Sequence, residues 1–177
     1  MKAEIISKRK KYSLKKDKDS LEKVIGKLLI SKKLTLSVAE SCTGGLISKR
    51  LTDVPGSSKY IKLNAITYSN KAKNLLLKVP ETLLKKYGAV SSQVAAKMAA
   101  GIKELSDTDI GLSVTGIAGP DGGSENKPIG LVYFGLAKGK KVKTKKVYFG
   151  SNSSREEIRW LASQFALNWL RQELIKK

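Results

Sequence analysis

The chain has 177 residues, of which 41% are hydrophobic, and this length and apolar content fit one domain with one buried core rather than two domains. No apolar run approaches the roughly 18 residues that a membrane-spanning helix needs, and no apolar stretch follows the lysine-rich start of the chain. We therefore expect a soluble, unexported protein of the cytosol.

Two residue counts limit the chemistry that the chain can perform. It has no histidine, which removes the commonest general base, the Ser-His-Asp and Cys-His arrangements and most transition-metal sites. Its one cysteine, Cys42, can form neither an internal disulfide nor a zinc site of the usual four-ligand kind. Proton transfer is therefore left to lysine, tyrosine, aspartate or glutamate, and we expect no metal and no other cofactor.

The formal net charge of +20 by itself suggests a nucleic-acid partner, because a basic surface releases counterions from phosphates. The surplus is densest at the start: residues 1–33 hold 12 basic and 4 acidic residues, whereas the other 144 hold 23 and 11. Only 6% of the residues are aromatic, and no pair of aromatic residues is clustered for base stacking. We predict a solvated, flexible basic arm at 1–18 and a domain at 19–177, and we do not expect a nucleic-acid partner. The alternative, that the arm contacts RNA or a membrane, rests on charge alone.

Apolar periodicity, caps and breakers divide the first part of the domain into short elements. Asp19 or Ser20 can cap the first helix. Pro55 and Gly56 stop the second helix, and Asn70 can cap the third. The predicted helices cover 21–32, 46–51, 71–77, 80–88 and 90–105, and the predicted strands cover 34–38 and 60–68.

The second part of the domain is richer in strands. Residues 109–115 form a short apolar run typical of a central strand, and residues 129–137 and 142–149 flank Gly139 as a hairpin. Ser153 or Ser154 can cap a long final helix, which passes through Leu170. Five strands and about six helices result. Because helices separate most strands but the last two strands form a hairpin, we predict an α/β fold with a mixed five-stranded sheet and helices on both faces.

Three segments that follow predicted strands hold candidate functional residues, and open α/β sheets bind ligands at such strand ends. The first is the turn at 39–45. Ser41 on this turn would be exposed as a nucleophile, and the free N–H groups of the next helix could stabilise an oxyanion or bind a phosphate. Ser41 could instead simply cap the helix. Cys42 is the rival nucleophile, although it has no histidine partner and could point into the core.

The other two segments are a lysine-containing helix start and a glycine-rich loop. Lys73 can act as a general base only if burial or a positive neighbour lowers its pKa from about 10.4, and the alternative is a solvated surface lysine. The loop at 115–127 has glycines whose N–H groups could approach a phosphate or a ribose, and the alternative is a flexible connector. Its spacing matches neither the dinucleotide nor the Walker phosphate-binding loop.

Taken together, these segments resemble the CinA C-terminal domain family, whose characterised bacterial members include nicotinamide-nucleotide amidohydrolase. The resemblance runs from about Leu21 to Leu174. It rests on motifs in the family's order: ESCTGG at 40–45, TYSN at 67–70 with Lys73, GAVS at 88–91, and GIAGPDGG at 116–123 with KPIG at 127–130. It implies a three-layer α/β/α fold. Family members often carry an N-terminal domain that acts on other nucleotides with a metal, and 177 residues are too few to include it.

The resemblance also implies a reaction: nicotinamide mononucleotide and water give nicotinate mononucleotide and ammonia, with no metal. Ser41 matches the family's nucleophile, Lys73 the lysine that activates it, and Tyr68 a hydroxyl that orients the lysine or relays a proton. The remaining substrate contacts that we assign are Cys42, Thr43, Gly44, Gly45, Thr115, Gly116 and Gly119.

Family membership alone does not establish turnover, so a second hypothesis remains open. In that alternative the chain is a catalytically weak module that binds a nucleotide as a sensor. Under either hypothesis the expected partner is a small nucleotide, and the resemblance favours a homodimer.

Overall fold

The computed structural model describes residues 19–176, so the predicted arm at 1–18 lies outside the described residues. Within them the helices are α1 (Leu21–Ser31), α2 (Leu46–Thr52), α3 (Asn70–Leu77), α4 (Glu81–Tyr87), α5 (Ser92–Leu105) and α6 (Arg155–Ile175). The strands are β1 (Leu36–Glu40), β2 (Ile61–Ile66), β3 (Ile110–Gly116), β4 (Leu131–Lys138) and β5 (Lys141–Tyr148), and a single 3₁₀ turn covers Ser57–Lys59.

Serine side chains begin four of these helices. Ser20 accepts from the backbone N–H of Lys23, and Ser154 forms a reciprocal capping box with Glu157. The sequence had proposed Asn70 as the cap of α3. That assignment is wrong, because the Ser69 hydroxyl accepts from the N–H of Ala72 and Asn70 is already the first residue of the helix.

The five strands form one mixed sheet in the order β2-β1-β3-β4-β5. β1 pairs in parallel with both β2 and β3, whereas β4 and β5 join as an antiparallel hairpin. The predicted mixed sheet is thereby confirmed. Strand β1 begins two residues later than predicted, because Thr35 is held by a hydrogen bond from its N–H to the Asp109 carboxylate, 2.8 Å, before the strand starts.

Helices cover both faces of the sheet, as the sequence predicted. Helices α1, α2 and α6 pack on one face, and α3, α4 and α5 pack on the other. Alternate residues of β1 serve the two sides: Val38 joins the larger core with α1 and α6, and Ala39 joins the smaller core with α5. The result is a three-layer α/β/α domain whose two cores are separated by the sheet.

Helix α5 lies very close to the sheet because the strands beneath it carry glycine. A Cβ on Gly111 would meet the Ala99 carbonyl oxygen at 2.1 Å, and one on Gly135 would meet the Ala95 carbonyl oxygen at 2.3 Å. Any side chain at either position would push the helix away from the sheet.

The parallel pairing of β1, β2 and β3 decides where the functional segments meet. Glu40, the last residue of β1, pairs with Ile66 at the end of β2 and with Val114 near the end of β3. The segments that follow the three strands therefore emerge at the same edge of the sheet, which is the usual ligand-binding edge of an open α/β fold.

Candidate active site

Ser41 lies on the first of these segments, on a turn between β1 and α2. Its backbone N–H donates to the Val114 carbonyl, 3.1 Å, so the serine is tied to β3, and only 8% of the residue is exposed. Gly44 and Gly45 have φ of +59° and +94°, values that other residues rarely adopt. The two glycines therefore allow the chain to reverse between Ser41 and the helix.

Lys73 comes from helix α3 and meets Ser41 inside the protein. Its Nζ donates to Ser41 Oγ at 3.1 Å, to the Thr67 carbonyl at 2.7 Å and to the Tyr68 carbonyl at 3.1 Å. The residue is only 1% exposed. Burial lowers the pKa of Lys73 to about 8, because a charged ammonium loses its hydration there. The alternative of a solvated lysine does not hold for Lys73, whereas Lys71 is exposed.

Cys42, the rival nucleophile, is buried in the larger core. Burial raises the pKa of its thiol to about 12, so the thiol stays protonated near neutral pH. Cys42 is therefore poorly suited to nucleophilic attack.

Tyr68 touches Lys73 through its backbone and not through its hydroxyl. The Tyr68 hydroxyl instead accepts from Arg155 Nη2 at 3.0 Å, and Arg155 Nη1 donates to the Gly119 carbonyl at 2.8 Å. Arg155, the first residue of α6, thus joins the end of β2 to the glycine-rich loop. The sequence did not single out Arg155, because no spacing pattern connects it with residues 36 and 87 positions away.

Thr115, Gly116 and Gly119 were predicted to contact a nucleotide. The Thr115 hydroxyl donates to the Ala89 carbonyl at 3.0 Å, so it holds the segment before α5. Gly116 lets β3 and β4 approach, since a Cβ there would meet the Leu131 carbonyl oxygen at 2.7 Å. Gly119 contributes its carbonyl to Arg155.

A cavity of about 220 Å³ opens at this edge of the sheet. Six of the ten predicted residues line it: Ser41, Cys42, Tyr68, Lys73, Thr115 and Gly116. Ala89, Val90, Ala118 and Arg155 complete the wall. None of these four was named as a site residue, although Ala89 and Val90 lie in the GAVS motif and Ala118 lies in the glycine-rich loop. Thr43, Gly44, Gly45 and Gly119 do not line the cavity. A larger groove of about 550 Å³ beside α3 and α4 contains neither Ser41 nor Lys73.

The N-terminus of α2 differs from the sequence-based expectation of a free anion site. The N–H groups of Gly45, Ile47 and Ser48 already donate to the buried carboxylate of Glu40, and the Gly44 N–H donates to the Ser41 carbonyl. Among the hydrogen bonds of residues 19–176, none to another residue uses the N–H of Cys42 or Thr43. Of these two residues only Cys42 lines the cavity, so its N–H is the remaining candidate donor beside Ser41.

Residues 19–176 contain neither a cluster of metal-binding side chains nor a membrane-spanning helix. No three carboxylate or thiol side chains among residues 19–176 are grouped so that they could hold a metal ion. None of the helices described is both long enough and apolar enough to cross a bilayer.

The architecture and the site together define a three-layer α/β/α domain with a buried serine–lysine pair at the carboxyl ends of its parallel strands. Residues 18–174 match the model of the CinA C-terminal domain, and the chain belongs to that family.

Similar proteins agree with this assignment. The chain is 49% identical over 164 residues to a CinA-like protein of Geotalea uraniireducens and 49% identical over 161 residues to one of Endomicrobium trichonymphae. These matches cover 93% and 91% of the chain but only 39% and 37% of those relatives, so the chain spans less than half of their length.

Solved structures show the same fold. The competence/damage inducible protein CihA of Agrobacterium tumefaciens is 38% identical with a TM-score of 0.82, and the match covers 88% of this chain and 96% of that one. A CinA superfamily protein of Klebsiella pneumoniae is 30% identical with a TM-score of 0.83, over 87% and 95% of the two chains. These names describe a family and not a reaction.

Proposed function

We propose that this domain is an amidohydrolase that converts nicotinamide mononucleotide and water into nicotinate mononucleotide and ammonia. The observation that carries the proposal is the 3.1 Å contact between Lys73 Nζ and Ser41 Oγ in a buried site, where the pKa of the lysine is lowered to about 8. The substrate is proposed from the resemblance of the site motifs to those of the nicotinamide-nucleotide amidohydrolases.

The contacts of Lys73 suit a general base. A neutral lysine amine has two N–H groups and one lone pair, and the carbonyls of Thr67 and Tyr68 can accept both N–H groups. The lone pair is then left for the Ser41 hydroxyl, which reverses the direction of that hydrogen bond. After proton transfer the ammonium has three N–H groups and three acceptors, so both protonation states are fully hydrogen-bonded.

The reaction then follows in two halves. Ser41 Oγ attacks the amide carbon while Lys73 takes the hydroxyl proton, and Lys73 returns a proton to the leaving nitrogen, which departs as ammonia. Water next attacks the acyl-serine, with Lys73 as base, and releases the carboxylate and free Ser41. The N–H of Cys42 is the proposed donor to the oxyanion, because Cys42 lines the cavity and no other described residue accepts from this N–H.

Arg155 supplies positive charge at the cavity wall, and we propose that it balances the phosphate of the nucleotide. Arg155→Ala is expected to raise KM for the mononucleotide roughly 10- to 100-fold, because a charge-assisted hydrogen bond contributes about 1.5–3 kcal/mol. Turnover at saturation should fall less. Steady-state kinetics with Arg171→Ala as the matched control measure both effects, since Arg171 lies on the same helix and, among residues 19–176, its side chain bonds only to Asn168. An unchanged KM would contradict this role.

Cys42→Ala is expected to retain most of the activity, because the buried, protonated thiol takes no part in the reaction. The free energy of unfolding should fall by about 1 kcal/mol through the small cavity that the sulfur leaves. Ammonia release and thermal unfolding of the purified variant test both statements. Loss of activity with the fold retained would mean that Cys42, and not Ser41, is the nucleophile.

The direct test compares nicotinamide mononucleotide, the corresponding dinucleotide and free nicotinamide as substrates of the purified chain, with ammonia as the measured product. Ammonia from the mononucleotide supports the proposal. Tight binding of the mononucleotide without ammonia release would instead support the sensor hypothesis. If the chain neither binds the mononucleotide nor releases ammonia, both hypotheses are contradicted.

A further inference from the structure

Glu40 is a buried carboxylate that the proposed reaction does not use. It is the last residue of β1, it immediately precedes Ser41, and none of its surface is exposed. No lysine or arginine of residues 19–176 forms an ion pair with it. Its oxygens instead accept four hydrogen bonds: from the N–H groups of Gly45 and Ile47 at 3.1 Å each, and from the N–H and hydroxyl of Ser48 at 2.8 and 2.5 Å.

These bonds replace the normal cap of helix α2. The first N–H groups of a helix have no partner within it, and a side chain at the N-cap usually accepts from one of them. Here the N-cap is Gly45, which has no side chain to offer. Glu40 reaches the first turn from the strand instead, and its negative charge lies at the positive end of the helix.

The arrangement has two consequences for the site. Glu40 connects the two ends of the turn that carries Ser41. Its backbone belongs to β1, and its carboxylate accepts from N–H groups at the start of α2. It also fills the place that an anion would take at the start of α2, so a substrate phosphate cannot bind those N–H groups.

We propose that Glu40 is a positioning residue: an internal carboxylate that closes the N-terminus of α2 and fixes the Ser41 turn against Lys73. This inference rests on the proposed role of Ser41 as nucleophile. It does not depend on which amide is the substrate. It adds that the anionic part of any substrate is bound away from α2.

The first test measures how fast Ser41 reacts with a small sulfonyl fluoride, followed by intact mass and peptide mapping. Glu40→Gln keeps the size of the side chain, but its amide nitrogen donates where the site needs an acceptor. We expect the maximal labelling rate to fall roughly 10- to 100-fold, the loss that a displacement of about 1 Å produces in a reacting group. The reagent concentration at half-maximal rate and the pH midpoint should stay unchanged, because Glu40 is not among the groups that shift the pKa of Lys73.

Glu22→Gln is the matched control, since Glu22 is also largely buried but pairs with Arg50, away from Ser41. It should label at the wild-type rate. Should Glu40→Gln fail to fold, Glu40→Asp keeps the charge on a shorter side chain and should label several-fold more slowly than the wild type. A folded Glu40 variant with the wild-type rate, or a wild-type Ser41 that does not react, would overturn the inference.

The second test uses the wild-type chain and inorganic phosphate. Titration followed by amide NMR should leave the resonances of Gly45, Ile47 and Ser48 unmoved, and saturable shifts at these amides would overturn the claim that Glu40 closes the helix. Ammonia release is assayed separately. Ser41 labelling without ammonia release would therefore refute the proposed function and leave the role of Glu40 standing.

Discussion

Ser41→Ala is expected to reduce ammonia release from nicotinamide mononucleotide by roughly 10⁴-fold or more, the scale of loss when a catalytic serine is removed. Without the hydroxyl no acyl intermediate can form. The fold should survive, because Lys73 Nζ keeps its bonds to the carbonyls of Thr67 and Tyr68. Nucleotide binding should survive as well, since the N–H of Cys42 and the side chain of Arg155 are unchanged at the cavity wall.

The measurement is ammonia release by purified variants, with circular dichroism to check the fold. Ser58→Ala is the control, because Ser58 is an exposed serine of the 3₁₀ turn. Substantial residual turnover by Ser41→Ala would mean that water attacks the amide directly, and the acyl-enzyme mechanism would have to be abandoned.

The activity of the wild-type chain is expected to rise with pH through about 8 and then level, because Lys73 acts in its neutral form and its pKa is lowered to about 8. Below that pH the rate should fall about tenfold per unit. The arginine of Lys73→Arg stays protonated and cannot act as a base, so this variant should be nearly as inactive as Lys73→Ala at every pH.

Lys71→Ala is the matched control for this series. Lys71 lies two residues away on the same helix and is exposed, so it cannot reach Ser41 and its loss should be mild. Steady-state rates between pH 6 and 10 test the series. An arginine variant with near-normal turnover would mean that the lysine serves only as a fixed charge.

The lowered pKa of Lys73 also has a cost in stability. A lysine with an ordinary pKa of 10.5 in the unfolded chain and about 8 in the folded one binds more protons when unfolded. Stability therefore rises with pH between those two values, and the full penalty is present below about 8. At about 1.4 kcal/mol per pKa unit the penalty is on the order of 3 kcal/mol. The same desolvation lowers the pKa of Lys73 towards neutrality, which the proposed role as general base requires.

Two expectations about the site, one for Tyr68 and one for the start of α2, illustrate the limits of local patterns. Tyr68 was expected to orient Lys73 or relay a proton through its hydroxyl. Its carbonyl accepts from Lys73 and its hydroxyl accepts from Arg155, so the proton relay stays a prediction. The helix start after Gly45 was expected to be free for an anion. Instead, the Glu40 carboxylate accepts from the N–H groups there. Glu40 lies in the ESCTGG motif, but the direction of its side chain depends on how residues alternate between the two faces of β1.

The sequence by itself determined the features that depend on interactions between near neighbours in the chain. These are the caps of α1 and α6, each narrowed to two neighbouring residues that include the observed Ser20 and Ser154, the glycine turn after Ser41 and the hairpin that makes the sheet mixed. Only the tertiary structure decided which lysine is buried. Lys73 is desolvated by the segments after β1, β2 and β3, which the parallel pairing of these strands brings to one edge of the sheet. The same pairing places Lys73 beside Ser41, 32 residues earlier, and Arg155 beside Tyr68, 87 residues earlier. A pKa or a hydrogen bond across such separations depends on distance in space, which sequence spacing does not encode.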